Sequence, residues 1–160
     1  MLDARIPIAS RNPDLNEMIK NKTSIKRVVL LNKIDLADNK ETKKWREYFE
    51  ERDYKVIETI GDTGKGIDEL KKYLESLQKG VNTTKTMIMG IPNVGKSTII
   101  NKLLGKNSLE AKNKAGVTKR LQWVRINDKI SIIDSPGMLW PKFEDIKIGN
   151  NLAAVRKYKR

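Results

Sequence analysis

The 160-residue chain carries 33 Lys+Arg against 20 Asp+Glu, a formal net charge of +13. It has no cysteine and no histidine, which excludes disulfides, thiol chemistry and the commonest general base. No apolar run of about 18 residues occurs and Met1 to Arg5 do not form a signal peptide, so one soluble cytoplasmic domain with a core of ordinary size is expected. The excess charge implies salt-sensitive attraction to polyanions, nucleic acid first, although solvated lysine faces account for it equally well. No aromatic-interleaved basic motif and no zinc-ligand spacing chooses RNA over DNA.

Asp3-Ala4-Arg5-Ile6-Pro7-Ile8-Ala9-Ser10-Arg11-Asn12-Pro13 reads as a loop leaving the end of a strand, and residues 14–20 are weakly helical. The run Arg27-Val28-Val29-Leu30-Leu31 suits a buried parallel strand. At its carboxyl end, where open α/β sheets hold their ligands, stand Asn32-Lys33-Ile34-Asp35. In this N-K-x-D quartet Asp35 can accept two hydrogen bonds from the N1–H and exocyclic amine of guanine, a pair adenine does not offer. Asn32 can bridge to the base edge and to neighbouring loops, and the Lys33 stem can lie along the base plane. The bland alternative is a chance quartet in a chain rich in Asn and Lys.

Thr42 to Arg52 predicts a helix with Trp45, Tyr48 and Phe49 on one core-facing side. Tyr54 to Ile60 predicts the next strand. Gly61-Asp62-Thr63-Gly64-Lys65-Gly66 is then a tight turn whose N–H groups either touch the base oxygen or serve a plain connection. Ile67 to Gln78 forms an amphipathic helix through Ile67, Leu70, Leu74 and Leu77. Residues 81–85 read as a linker between a guanine-recognition half, 1–80, and a phosphate-loop half, 86–160.

The second half opens on Met87-Ile88-Met89, a short apolar run that predicts a buried strand, followed by Gly90-Ile91-Pro92-Asn93-Val94-Gly95-Lys96-Ser97. This is G-x-x-x-x-G-K-S/T, and Ile99 to Leu104 then take helical spacing before Gly105 stops them. Strand, glycine loop and helix in that order is what a phosphate-binding loop requires. Curled N–H groups and a helix N-terminus would face the phosphates, Lys96 would supply charge to the β and γ groups, and the Ser97 hydroxyl would ligate Mg²⁺. A chance match in an ordinary βα turn is the alternative.

Residues 106–119 have no sustained periodicity and read as a long polar loop containing Ala115-Gly116-Val117-Thr118. Thr118 is either a second Mg²⁺ ligand, in place when a γ-phosphate is bound, or part of a surface loop. Leu121 to Ile126 and Lys129 to Ile133 alternate around an Asn-Asp turn and predict a hairpin. The hairpin ends in Asp134-Ser135-Pro136-Gly137, a D-x-x-G arrangement 38 residues after Lys96. Asp134 would hold the Mg²⁺ shell and the Gly137 N–H would sense the γ-phosphate. Met138 to Phe143 form an apolar, aromatic loop, and a helix from about residue 145 ends in Arg156-Lys157-Tyr158-Lys159-Arg160.

The guanine motif here precedes the phosphate loop, the reverse of the usual order. With Asp-Ala-Arg-x-Pro and Asp-Ser-Pro-Gly-Met-Leu-Trp-Pro-Lys-Phe-Glu-Asp, the chain resembles the circularly permuted GTPases of the ribosome biogenesis GTPase A (YlqF) type. Permutation is tolerable because domain termini usually lie close together. The resemblance covers nearly the whole sequence. It implies an α/β, three-layer P-loop GTPase fold with a mostly parallel sheet. The activity it implies is a GTP-hydrolysing switch in late assembly of the large ribosomal subunit, with that subunit and its rRNA as partners. No membrane or DNA partner is expected, and the protein should be a monomer.

Carried over by position, Asn32, Lys33, Ile34 and Asp35 would read guanine, with Ile60 and Gly61 lining the base. Asn93, Val94, Gly95, Lys96, Ser97, Thr98 and Gly137 would hold the phosphates. Lys96, Thr118 and Gly137 would serve hydrolysis, Ser97, Thr118 and Asp134 would hold Mg²⁺, and Asn93 would bind K⁺. Met138 stands where many GTPases have a water-orienting Gln, so intrinsic hydrolysis should be slow until the ribosome stimulates it. Family members carry an upstream segment with a His linked to catalysis and a C-terminal helical RNA-binding domain, so the resemblance implies truncation at both ends or a misplaced start. They also usually have Pro where Ala115 stands before the switch Gly-x-Thr. Only Met1 and Leu2 remain of the strand that ends at Asp-Ala-Arg in the middle of the sheet, so a cavity and weakened nucleotide binding are expected. The rival readings are an RNA- or ribosome-binding module with a weak or non-hydrolysing pocket, and an adenine-nucleotide kinase or ATPase.

Overall fold

Alternating apolar runs and amphipathic segments produce an α/β architecture in the computed structural model, which describes residues 1–14, 24–105, 122–135, 151–152 and 154–155. In chain order the elements are β1 (Leu2–Asp3), β2 (Val28–Asn32), a single 3-10 turn (Ile34–Leu36), α1 (Asn39–Glu50), β3 (Lys55–Thr59) and α2 (Ile67–Ser76). They continue with β4 (Thr84–Ile88), α3 (Lys96–Leu104), β5 (Gln122–Arg125) and β6 (Ile130–Asp134).

The strands form two ladders. In the first, β2 lies between β1 and β3 and is parallel to both, with Leu2 opposite Leu31 and Asn32 opposite Thr59. In the second, β6 lies between β4, parallel, and β5, antiparallel, with Ile88 opposite Asp134. The Met1 amine donates to Met89 O at 2.7 Å, so the first residues of the chain tie the two ladders together.

Helices cover both faces, as a mostly parallel sheet requires. On one face Leu30, Ile57, Ile88, Ile130 and Ile132 pack under Leu70 and Leu74 of α2 and Ile99, Ile100 and Leu103 of α3. On the other, Leu2, Val29, Leu31 and Val56 pack against Phe49 of α1. The result is the expected three-layer arrangement.

The aromatic stripe on α1 is core: Phe49 is buried, with Trp45 and Tyr48 packed beside it. Edge-on contacts join Phe49 to Tyr48 and Tyr54, with ring centroids 5.2 and 6.0 Å apart. This helix starts three residues before the expected Thr42, because Asp38 caps it by accepting from the N–H groups of Lys40 and Glu41. The next helix, α2, stops at Ser76, two residues short of the expected Gln78.

The strand before the phosphate loop differs more from expectation. It begins at Thr84, inside the segment read as a linker, and it is not buried throughout. Burial alternates along it, Met87 is 42% exposed, and only Ile88 is fully inside. The physical reason is its neighbours: β4 pairs with β6 on one side, while β1 is two residues long and the contact on the other side is made by Met1. A cavity of about 60 Å³ lies between the ladders there, lined by Met1, Val28, Leu30, Leu70, Leu74 and the 86–89 segment.

Candidate nucleotide site

The two sequence motifs meet at the carboxyl ends of β2 and β4. At the end of β2, Asn32 is 2% exposed and uses both ends of its amide. Its Nδ2 donates to Val94 O in the phosphate loop at 2.9 Å. Its Oδ1 accepts from the Thr59 hydroxyl at 3.0 Å and from the Gly61 N–H at 3.2 Å. One buried amide thus joins three segments that are far apart in sequence. The Gly61 N–H, in the turn expected to approach the base oxygen, is engaged here by Asn32.

Lys33 takes a left-handed backbone conformation, φ 64°, which turns the chain sharply out of the strand into the 3-10 turn. Its ammonium donates to Asn93 O at 2.8 Å and to Asp3 Oδ2 at 3.2 Å. Ile34 is buried beneath the turn, and Asp35 is left exposed on it, where a carboxylate can meet a ligand. Ile60 is half-buried and pairs its N–H with Lys65 O at 3.2 Å, closing the turn that follows β3.

The phosphate loop runs from Gly90 into α3. Gly95 has φ 106°, and a Cβ there would sit 2.6 Å from Asn32 Nδ2, so only glycine lets the loop approach the guanine motif this closely. A Cβ on Gly90 would meet Met1 O at 2.7 Å. Val94 is buried, Asn93 is exposed with φ 60°, and Ser97 and Thr98 occupy the first turn of α3. Lys96 is 7% exposed, and its ammonium donates to Gly90 O and Ile91 O, each at 3.0 Å. Burial pushes the Lys96 pKa down, and the negative charge of Asp134 opposes that shift.

Asp134 is 1% exposed at the end of β6, beside Ile88 and therefore next to the start of the loop. Ser135 locks this end by donating to Ile88 O at 2.6 Å. A hydroxyl at Ser97 and a carboxylate at Asp134 form a donor set that suits Mg²⁺, which takes few protein ligands and completes its shell with phosphate oxygens and water. Among the described residues no group of three or more His, Cys, Asp or Glu gathers into a metal cage. The exposed amide of Asn93 offers an oxygen chemically suited to K⁺.

Thr118, Gly137, Met138 and Ala115 lie outside the described residues, as do the loop at 106–119 and the apolar segment at 138–143. Sequence reasoning missed Thr59 and Asp3, both buried and both bonded to the guanine motif. Thr59 stands at an inward position of an apolar strand, a weak signal, and its partner is 27 residues away.

A strand, a glycine loop opening a helix, and an Asn-Lys-x-Asp turn hydrogen-bonded to that loop define the class as a P-loop GTPase domain with permuted motif order. The chain belongs to the RsgA GTPase family, whose profile matches residues 16–144. It is 40% identical over 166 residues to Ribosome biogenesis GTPase A of Bacillus cereus, covering 97% of this chain and 55% of that protein. To Ribosome biogenesis GTPase A of Thermotoga maritima it is 38% identical over 138 residues, covering 86% of this chain and 48% of the relative. The crystal structure of GNP-bound YlqF from T. maritima superposes with TM-score 0.70 at 34% identity, over 97% of this chain and 57% of that one. The chain thus spans about half the length of the relatives it matches. No helix among the described residues is long and apolar enough to cross a membrane.

Proposed function

We propose that residues 1–160 form one GTPase domain that binds GTP and GDP between the Asn-Lys-x-Asp turn and the phosphate loop, hydrolyses GTP, and acts as a switch in late assembly of the large ribosomal subunit. The observation that carries this reading is the double link between the motifs, Asn32 Nδ2 to Val94 O at 2.9 Å and Lys33 Nζ to Asn93 O at 2.8 Å. These links support the reading because they bring the Asn-Lys-x-Asp turn against the phosphate loop, as one nucleotide shared by both would require.

In this reading Asp35 accepts from guanine, the Lys33 stem lies along the base, Ile34 seats the turn that carries them, and Ile60 and Gly61 line the pocket. The N–H groups of Asn93 to Thr98 and the helix N-terminus receive the phosphates. Lys96 moves its ammonium from the loop carbonyls to the β and γ oxygens, where charge develops as water attacks the γ-phosphate. Ser97, Thr118 and Asp134 would hold Mg²⁺, Asn93 would hold K⁺, and both cations would supply further positive charge. Thr118 and the Gly137 N–H would respond to the γ-phosphate. The cytoplasm, a monomeric state, and the large subunit and its rRNA as partners belong to the same proposal. The names of the relatives support its ribosome-related part, and the net charge of +13 suits a polyanionic partner such as RNA.

Replacing Asp35 by Asn tests the base assignment, since the amide reverses one hydrogen-bond direction and should shift preference from GTP to xanthosine triphosphate. A variant that still prefers GTP would remove guanine recognition from Asp35. Co-sedimentation with purified large subunits, comparing a non-hydrolysable GTP analogue with GDP, tests the switch. Binding indifferent to the nucleotide would instead favour a plain ribosome-binding module.

A further inference from the structure

Asp3 is the least expected member of the site. It ends β1, it is 2% exposed, and four donors converge on its carboxylate. The Arg5 side chain grips it with Nε on Oδ1 at 2.8 Å and Nη2 on Oδ2 at 2.6 Å. The Arg5 N–H adds a third bond at 3.1 Å, and Lys33 Nζ a fourth at 3.2 Å. Such a bidentate clamp fixes the plane of a carboxylate as well as its position. The backbone around it is equally fixed, because Asp3 N–H donates to the Ser10 hydroxyl at 3.0 Å and Ala4 N–H to Asn32 O at 2.8 Å.

Lys33 is the other end of this arrangement. A lysine stem has four rotatable bonds and ordinarily samples many rotamers. Here its ammonium is held between two acceptors, the clamped Asp3 Oδ2 and the loop carbonyl Asn93 O, although the side chain is 27% exposed. Two anchors restrict the stem to a narrow set of paths, and the apolar methylenes become a fixed ledge between the guanine motif and the phosphate loop.

We propose that Asp3 is a positioning residue for base recognition: clamped by Arg5, it draws the Lys33 ammonium into place and so presets the ledge on which the purine rests. This deepens the reading of a guanine-nucleotide site and rests on it. Asp3 acts through Lys33, its carboxylate being taken up by Arg5 and Lys33. Its carboxyl is held below the usual range: burial pushes it up, and the Arg5 bonds and the Lys33 charge more than reverse that, so the anchor stays ionised at neutral pH. The positive charge of Arg5 is in turn favoured first by its hydrogen bonds to Asp3, and least by the more distant charge of Asp35.

The test is a double-mutant cycle on GDP affinity, with thermal melting recorded for every variant. Asp3→Asn should weaken GDP by about tenfold in the native chain and by less than about twofold when Lys33 is already Met. Equal losses in both backgrounds would overturn the proposal, because Asp3 would then act by some route other than Lys33. If Asp3→Asn does not fold, Arg5→Gln replaces it in the same cycle, with the same dependence on Lys33 expected and equal losses again decisive against. A native chain that binds no GDP would fail the functional reading and this inference together. Native binding with an additive cycle would fail the inference alone.

Discussion

The two ends of the site are built on unlike foundations. The guanine motif leaves β2, a strand paired on both sides and buried along its last four residues. The phosphate loop leaves β4, a strand with alternating exposure that is paired with β6 and steadied on its other side by Met1. One end is thus a bracket rooted in the core through Asn32 and Ile34. The other is a loop that depends on contacts with that bracket, through Asn32 and Lys33, for its position. In this permuted order the half coming first in the chain supplies the frame, and the loop of the second half leans on it.

Substitutions can break or sharpen this contrast. The largest effect is expected at Phe49, 1% exposed under β2 and β3, where Phe49→Ala should cost about 3–5 kcal/mol in urea unfolding. A cost under about 1 kcal/mol would mean the first ladder is not the frame. Next comes Asn32→Ala, which leaves Val94 O, the Thr59 hydroxyl and the Gly61 N–H without their shared partner. A loss of about 2–4 kcal/mol is expected, together with weaker GDP binding measured by fluorescence titration.

Acid should act on the same side of the molecule. The folded Asp3 carboxyl titrates below its ordinary value of 3.8, so the unfolded chain binds its proton first as pH falls. The stability contributed by Asp3 is therefore complete above about pH 4 to 5 and disappears as pH drops through the folded pKa. Unfolding midpoints compared at pH 5 and pH 3 should fall more steeply in the native chain than in Asp3→Asn. The smallest effect is expected in the second ladder, at Trp123 on β5, which is 57% exposed. Trp123→Ala should change stability by no more than about 0.5 kcal/mol, and a larger loss would show this edge to be braced after all.

Where local chemistry was decisive, the sequence was readable. An apolar run ending in Asn-Lys-x-Asp, an aromatic stripe at helical spacing, and a glycine loop opening a helix each carry their signal within a dozen residues. The hairpin at β5 and β6 was legible from alternation and a two-residue turn signal, and its strands pair as expected. Reading failed where a residue's surroundings come from elsewhere in the chain. The run Met87-Ile88-Met89 suggests burial by composition, yet Met87 is 42% exposed, since β4 pairs with β6 on one side and meets only the short β1 end through Met1 on the other. Helix α1 starts three residues before the expected Thr42 because the Asp38 carboxylate caps its first turn.

By itself the sequence determined the elements, the motif chemistry and the inverted order of the two nucleotide motifs, since these depend on residue types close together along the chain. Only the tertiary structure decided that Asn32 would spend its amide on three separate segments and that Asp3 would anchor Lys33. Those bonds span from 27 to 62 positions, and no local pattern encodes which distant partner a buried polar group will find. Desolvation makes such a group seek a partner, and only the packing of the sheet says which one.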